Sequence, residues 1–276
     1  MTAAADTRYS RRLDGFAADQ PSLLACVLLV GGCVNGLAVR VLEAWQLHGL
    51  KQPLMGVSPF EIVALFVAAQ LIAGPGVRRF DLAPWPELAF GAALLVPSSA
   101  AAWVAVAVYA AYGAVQTTHE RRNGFILVLA LATCSIWSSV ILKWLAGPAT
   151  VLEAHAAWVL LSPFRPDISA TGNVVGVPEG HNLIVMTACT AASSLPKALL
   201  GLIALVKLAG GKRGPHLWAA LAMVVGLQVA ANTLRLALMA SSGPVYAAVH
   251  GSIGANVFDA LQTLMVVGLA LWTVRS

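Results

Sequence analysis

The chain has 276 residues, of which 59% are hydrophobic and only 11% are charged. Soluble globular domains average roughly 45–50% apolar and about 25% charged residues, so this composition excludes an ordinary soluble domain and indicates a membrane protein. The formal net charge of +5 comes from basic residues scattered between apolar runs, which does not indicate a nucleic-acid-binding surface.

Long apolar runs recur along the sequence and predict an all-α polytopic membrane protein with about eight transmembrane helices in a single domain over 1–276. The predicted spans are 22–42, 58–74, 86–98, 100–116, 124–142, 187–209, 216–241 and 252–274. The third and fourth are short, so a re-entrant pair is the alternative there. Gly32 and Gly36 on the first helix have the spacing typical of close helix packing.

The basic residues predict an orientation in the membrane. Cytoplasmic loops are enriched in Lys and Arg, and most of the 17 Lys and Arg residues fall on one side when the N-terminus is placed inside. Arg8, Arg11 and Arg12 precede a first apolar run that is too long for a signal-peptide core. We therefore expect a multi-pass protein of the cytoplasmic membrane with both termini in the cytoplasm.

Three parts of the chain differ in character. Residues 1–142 read as scaffold helices, 143–186 as an extracytoplasmic segment, and 187–276 as the helices that carry reactive side chains. Within the middle segment, 149–161 has helical spacing and is expected to lie along the membrane interface. Turn signals at Gly172-Asn173 and Pro178-Glu179-Gly180, between β-prone residues, predict a small β-hairpin before the sixth helix.

The cysteines do not indicate a metal or disulfide site. Cys26, Cys33, Cys134 and Cys189 include no CxxC pair and no His-Cys cluster at metal-binding spacing. No metal and no cofactor is therefore predicted.

Three charged residues lie well inside the last three predicted spans, namely Lys197, Arg235 and Asp259. Each costs about 2.5–3.5 kcal/mol at the centre of a membrane helix, so we expect them to face the bundle interior and to pair there. Equal depth on neighbouring helices predicts that Asp259 pairs with Lys197, or bridges Lys197 and Arg235, with Asn232 and Gln228 nearby. This cluster is expected to hold the last three helices in register.

Cys189, Arg235 and His250 lie towards the outer ends of three successive predicted helices. A thiolate is a strong nucleophile, an imidazole can protonate a leaving amine, and a guanidinium can stabilise an oxyanion. Together they predict acyl transfer on a peptide bond at the extracytoplasmic side. His181 is a rival general base, and Glu179 is a candidate for shaping substrate entry.

The same residues carry a resemblance to the exosortase/archaeosortase family. The matching stretches are Ala188-Cys189-Thr190, then Asn232-Thr233-Leu234-Arg235-Leu236, then His250 followed by Gly254 and Phe258. The resemblance implies that Cys189 is the nucleophile, Arg235 the oxyanion or positioning group, and His250 the general acid and base. Where family members commonly read Cys-Ser-Gly and an Arg two residues later, this chain reads Cys189-Thr190-Ala191-Ala192-Ser193, so it resembles a divergent member.

The function implied is that of a membrane-embedded cysteine transpeptidase or protease. It would cleave the C-terminal sorting tail of exported proteins, in the manner of PEP-CTERM substrates, through a thioester that passes to water or to an amine. Two alternatives stand beside it. One is a transporter or channel lined by Lys197, Arg235 and Asp259, and the other is a non-catalytic factor for envelope assembly.

Overall fold

The computed structural model describes residues 23–48, 57–73, 85–96, 98–117, 119–177, 180–211 and 214–276. The N-terminal arginines and Glu179, which the sequence analysis singled out, lie outside these ranges. The chain divides into two compact units, Met1–Ser135 and Ile136–Ser276. The second unit contains every residue proposed above for chemistry.

In its described residues, the first unit consists of helices with a few non-helical residues beside them. Its helices are α1 (Leu23–His48), α2 (Pro59–Ala73), α3 (Trp85–Leu94), α4 (Ser99–Gln116) and α5 (His119–Ile136). Capping explains two of the starts, since the Ser98 hydroxyl accepts from the Ala101 N–H before α4 and Glu61 accepts from the Ser58 N–H at α2.

Helices α1 and α4 pack closely because α1 presents glycines to large side chains of α4. A Cβ at Gly36 would lie only 2.5 Å from the Trp103 ring, and one at Gly32 would lie 2.8 Å from Val106. The Ser99 hydroxyl also donates to the Gly36 carbonyl at 3.1 Å. The predicted role of Gly32 and Gly36 in helix packing is therefore confirmed.

Among the described residues, four helical segments are long and apolar enough to cross a membrane: Ser99–Gln116, Ala191–Leu208, Pro215–Ser241 and Ile253–Arg275. The expected eight spans are not reached. The third predicted span forms only the ten residues of α3, about 15 Å of helix, which is half the hydrocarbon thickness. The fifth is preceded by polar residues that belong to the same helix, α5, and dilute its apolar character.

The second unit begins with a π-helical turn, Trp137–Ile141, followed by α6 (Leu142–Leu161). The sequence predicted a shorter interfacial helix over 149–161, so the helical character is right and the start is wrong. One face of α6 is buried in this unit, where Ala154, Ala157 and Leu161 enter its hydrophobic cluster. From the sequence, residues 142–148 belong to the end of the fifth predicted span and the segment after it, because hydropathy alone does not mark where one helix stops.

After α6 comes a three-stranded antiparallel sheet, formed by β1 (Ser169–Thr171), β2 (Val174–Gly176) and β3 (Asn182–Ile184). The two-residue turn between β1 and β2 is the predicted Gly172-Asn173, and Gly172 adopts a φ of +59°. The predicted hairpin is thus present, and β3 extends it by pairing with β2. Val175 and Leu183 turn inwards to the hydrophobic cluster.

A short 3₁₀ turn, Thr187–Cys189, leads into α7 (Ala191–Leu208), α8 (Pro215–Ser241), α9 (Gly243–His250) and α10 (Ser252–Arg275). The last two predicted spans agree with α8 and α10 to within one residue. The short helix α9 was not predicted. It starts where the Ser242 hydroxyl accepts from the Val245 N–H and Pro244 occupies the first turn.

The segment before α7 caps the C-terminal end of α8. The last four carbonyls of a helix have no partner within it. Here the Arg165 guanidinium donates to the Ser241 carbonyl at 3.0 Å, and His181 Nε2 donates to the Met239 carbonyl at 2.9 Å. Asp167 holds the Arg165 side chain in place through two contacts of 2.9 and 3.0 Å. The end of α8 is therefore fixed by residues far away in sequence.

Candidate active site around Cys189

Cys189 is the last residue of the 3₁₀ turn that leads into α7. Its N–H donates to the Met186 carbonyl at 2.8 Å, and Thr190 after it is the extended N-cap residue of α7. The Cys189 side chain is half-buried and packs against the hydrophobic cluster formed by α6, the sheet and the end of α8. The thiol thus lies where a strand, a tight turn and a helix start meet.

Asn232 of α8 holds the backbone of this cysteine. Its Nδ2 donates to the Cys189 carbonyl at 2.8 Å and to Glu153 Oε2 at 2.5 Å. Only 5% of Asn232 is exposed. The sequence predicts Asn232 near the charged residues Lys197, Arg235 and Asp259, whereas the structure connects Asn232 directly to the Cys189 carbonyl.

Glu153 of α6 is the functional-site residue that sequence reasoning missed. It is 8% exposed, and its Oε1 accepts from the Ala191 N–H, the first of α7, at 2.7 Å. Burial raises the pKa of the Glu153 carboxyl, while hydrogen bonds from Ala191 and Asn232 oppose that rise. The available signal was an acidic residue in the apolar stretch from Thr150 to Leu161, a position that needs buried partners.

The first turn of α7 is also held by two side chains from other elements. Pro196 has no backbone N–H, so the Ala192 carbonyl lacks its usual helical partner and accepts from Trp137 Nε1 at 3.0 Å. Gln228 Nε2 of α8 donates to the Ser194 hydroxyl at 2.8 Å. The backbone that follows Cys189 is therefore fixed on two sides.

Arg235 lies three residues after Asn232 on α8, so the two occupy the same face about one turn apart. Its guanidinium lies over the Phe258 ring of α10, with Cζ 5.8 Å from the ring centroid. Within the described part of the chain, the buried Arg235 Nε has no hydrogen-bond partner. Among the described residues, the Arg235 guanidinium forms no ion pair with a carboxylate, so it is suited to receive an anionic group one turn from the residue that holds Cys189.

His250 is the exposed last residue of α9, and its ring stacks on Tyr246 with centroids 4.9 Å apart and an angle of 16°. The Tyr246 ring also lies 5.5 Å from that of His181, so the two candidate bases flank one tyrosine. Tyr246 packs against the same hydrophobic cluster as Cys189. His181 Nε2 donates to the Met239 carbonyl and so caps α8, which gives His181 a structural role. His250 does not take part in this cap.

The predicted direct ion pair between Lys197 and Asp259 is not formed in the described structure. Helices α7 and α10 do pack together, as expected from the sequence. Asp259, however, lies on the exposed side of α10, and Lys197 is only half-buried on α7. Counting residues along each helix predicts that Lys197 and Asp259 lie at the same depth. It does not predict the direction in which each side chain points around its helix axis.

The arrangement therefore joins the Cys189 carbonyl to Asn232 and, through Asn232, to Glu153. Arg235 lies one turn from Asn232, and His250 stacks on Tyr246, which packs against the same cluster as Cys189. A thiol, a guanidinium and an exposed imidazole are groups that could support acyl transfer. Comparison with protein-family models, with curated proteins and with solved structures finds no match to this chain.

Proposed function

We propose that this chain is a membrane-embedded cysteine transpeptidase or protease, a divergent relative of the exosortases and archaeosortases. Its substrates would be exported proteins that end in a transmembrane sorting tail. The observation that carries the proposal is Arg235, whose buried Nε has no hydrogen-bond partner among the described residues and lies one helical turn from the residue that holds Cys189. A buried N–H without a partner is costly, and an oxyanion bound there would offset that cost.

In the first half of the reaction, the Cys189 thiolate attacks the carbonyl carbon of the scissile peptide bond. The carbonyl oxygen becomes an oxyanion, which Arg235 stabilises by charge and hydrogen bonding. His250 in its imidazolium form then gives a proton to the nitrogen of the leaving peptide. The tail departs as a free amine, and the exported protein remains bound to Cys189 as a thioester.

In the second half, neutral His250 takes a proton from the acceptor, which is water or an amine. The acceptor attacks the thioester carbon, the oxyanion forms again beside Arg235, and the C–S bond breaks to release the Cys189 thiolate. Hydrolysis frees the protein, whereas an amine acceptor transfers it to a new anchor.

The basic residues at the ends of α7 and α10 support one orientation in the membrane. Each has a basic residue in its last turn, Lys207 and Arg275, and basic residues favour the cytoplasmic side. The opposite ends of these helices, next to Cys189 and His250, would then face the extracytoplasmic side. A substrate anchored by its own apolar helix would present the adjoining peptide bond at that level.

The decisive experiment replaces Cys189 with Ala and, separately, with Ser in the native host. Exported proteins with a C-terminal apolar helix are then followed by mass spectrometry of their C-terminal peptides. We expect both variants to accumulate uncleaved precursors, because neither side chain provides a thiolate. Cys33→Ala is the matched control, since Cys33 is a buried packing residue of α1.

Normal cleavage in Cys189→Ala cells, with the variant present in the membrane at the wild-type level, would contradict the proposal. A precursor that accumulates equally in the Cys33→Ala control would do the same, because the defect would then not depend on the thiol at Cys189.

A further inference from the structure

Glu153 acts as the acceptor in its hydrogen bonds with Ala191 and Asn232. Its Oε1 faces the Ala191 N–H at 2.7 Å and its Oε2 faces the Asn232 amide nitrogen at 2.5 Å. Both neighbours are donors, so both carboxylate oxygens must accept. Only a side chain with two acceptor atoms can form both hydrogen bonds without a change in the surrounding residues.

The acceptor role of Glu153 also limits the direction in which the Asn232 amide points. Its Nδ2 donates both to Glu153 Oε2 and to the Cys189 carbonyl at 2.8 Å. If the amide turned over, its oxygen would face two acceptors, and a buried pair of facing acceptors is strongly unfavourable. Glu153 and the Cys189 carbonyl, which are both acceptors, therefore fix together the direction of the Asn232 amide.

We propose that Glu153 is a positioning residue for the nucleophile, which acts through Asn232 on the carbonyl of Cys189. The same carboxylate holds the first N–H of α7, so one side chain from α6 fixes the residues on both sides of Thr190. The effect of Glu153 on catalysis rests on the proposed function. Its effect on the position of Cys189 does not depend on any substrate.

The substitution that isolates this role is Glu153→Gln, which keeps the shape and removes one acceptor. Whichever way the new amide turns, its nitrogen faces either the Ala191 N–H or the Asn232 amide nitrogen, so at least one hydrogen bond of the set is lost. Hydrogen bonds to charged groups are stronger than neutral ones, so the effect on Cys189 should be measurable.

The test is a double-mutant cycle with Glu153→Gln, Asn232→Leu and the double variant, in full-length protein whose other three cysteines are replaced by Ala. The readout is the rate at which Cys189 in detergent-solubilised protein reacts with a small maleimide. We expect each single variant to raise the rate several-fold, because the turn that holds the half-buried thiol opens more often. The double variant should react no faster than the faster single variant.

Gln228→Met is the matched control. Gln228 also joins α8 to the first turns of α7, through Ser194, but its bond does not involve Cys189 or Glu153. We expect its maleimide rate to match that of the wild type. Thermal unfolding of every variant shows that the compared proteins are folded.

Two outcomes would overturn the inference. One is a folded Glu153→Gln protein whose Cys189 reacts at the wild-type rate. The other is a double variant whose rate increase is the product of the two single increases, which means that Glu153 does not act through Asn232. Because the maleimide reaction needs no substrate, failure of the proposed function leaves this test intact, and failure of this test leaves the Cys189→Ala experiment intact.

If cleavage is then measured with a purified precursor, a positioning role predicts a split between kinetic constants. Glu153→Gln should lower kcat about 10- to 100-fold and leave KM within about two-fold, since the substrate does not touch this buried residue. A residue with a merely structural role would lower the amount of folded enzyme and leave kcat per folded molecule unchanged.

Discussion

The two units of the chain use their polar side chains differently. In the first unit, polar contacts start helices or join them, as when Ser98 caps α4 or the Tyr109 hydroxyl donates to Glu87 at 3.1 Å. In the second unit, four side chains from three elements meet the turn and helix start that contain Cys189. Polar groups that converge on one short stretch of backbone indicate a site, whereas polar groups spread along helix ends indicate assembly.

This contrast predicts that substitutions in the second unit affect chemistry and that substitutions in the first affect stability. His250→Ala should show the largest effect. Loss of a general acid and base typically lowers the rate by about 10²–10⁴-fold, and we expect that fall in kcat/KM for precursor cleavage. The comparison is with His181→Gln, which keeps a donor for the Met239 carbonyl and should retain most activity. A larger loss in His181→Gln than in His250→Ala would reverse the two assignments.

Arg235→Gln comes next. Removing one oxyanion donor costs about 10²–10³-fold in kcat, and we expect this range. The unfolding temperature should change little, because Arg235 forms no ion pair within the described part of the chain. Arg235→Lys keeps the charge but not the planar donors, so its activity should be intermediate. A wild-type kcat in the Gln variant would show that Arg235 does not face the reacting carbonyl.

In the first unit, Gly36→Ala should act on stability alone. Its Cβ would lie 2.5 Å from the Trp103 ring, and overpacking of this kind costs about 1–3 kcal/mol. Gly31→Ala is the control, because nothing lies within 4 Å of a Cβ there. Thermal unfolding in detergent measures the difference, and the maleimide rate of Cys189 should be unchanged in both. Equal unfolding temperatures would mean that α1 and α4 do not pack closely.

The smallest effect is expected for Trp137→Phe, which tests how the start of α7 is held. Trp137→Phe removes the donor to the Ala192 carbonyl and should cost about 0.5–1.5 kcal/mol. Adding Pro196→Ala restores a backbone N–H that can bond to the same carbonyl, so the double variant should recover part of this stability. If Pro196→Ala gives the same gain in the wild type as in Trp137→Phe, the tryptophan and the proline are not linked.

Much of the second unit could be predicted from local signals. The bounds of α8 and α10 follow from Pro215, Gly214 and two long, mostly apolar runs, and the Gly172-Asn173 turn follows from the conformational freedom of glycine. These features depend on residues that are close in sequence, which is the information that a single sequence provides.

The remaining features depend on contacts across long sequence separations. Glu153 meets Asn232 across 79 positions and Ala191 across 38, and neither distance leaves a periodic pattern. The absent ion pair between Lys197 and Asp259 has the same origin, because hydropathy predicts depth but not the direction of a side chain around its helix axis. Helix α9 was missed because eight residues between two long apolar runs leave too few turns for a periodic signal.

The side chains that hold Cys189 and the start of α7 come from both sides of Cys189 in the sequence. Trp137 and Glu153 precede Cys189, so both are already synthesised when α7 emerges from the ribosome, and each can meet its backbone group at once. Gln228 and Asn232 follow within α8 and arrive later. The helix start is thus secured early in biosynthesis, whereas the carbonyl of Cys189 is fixed only after the chain has returned through α8. A truncated chain that ends at Leu208 would therefore keep the Trp137 and Glu153 contacts to α7 and lack the partner of the Cys189 carbonyl.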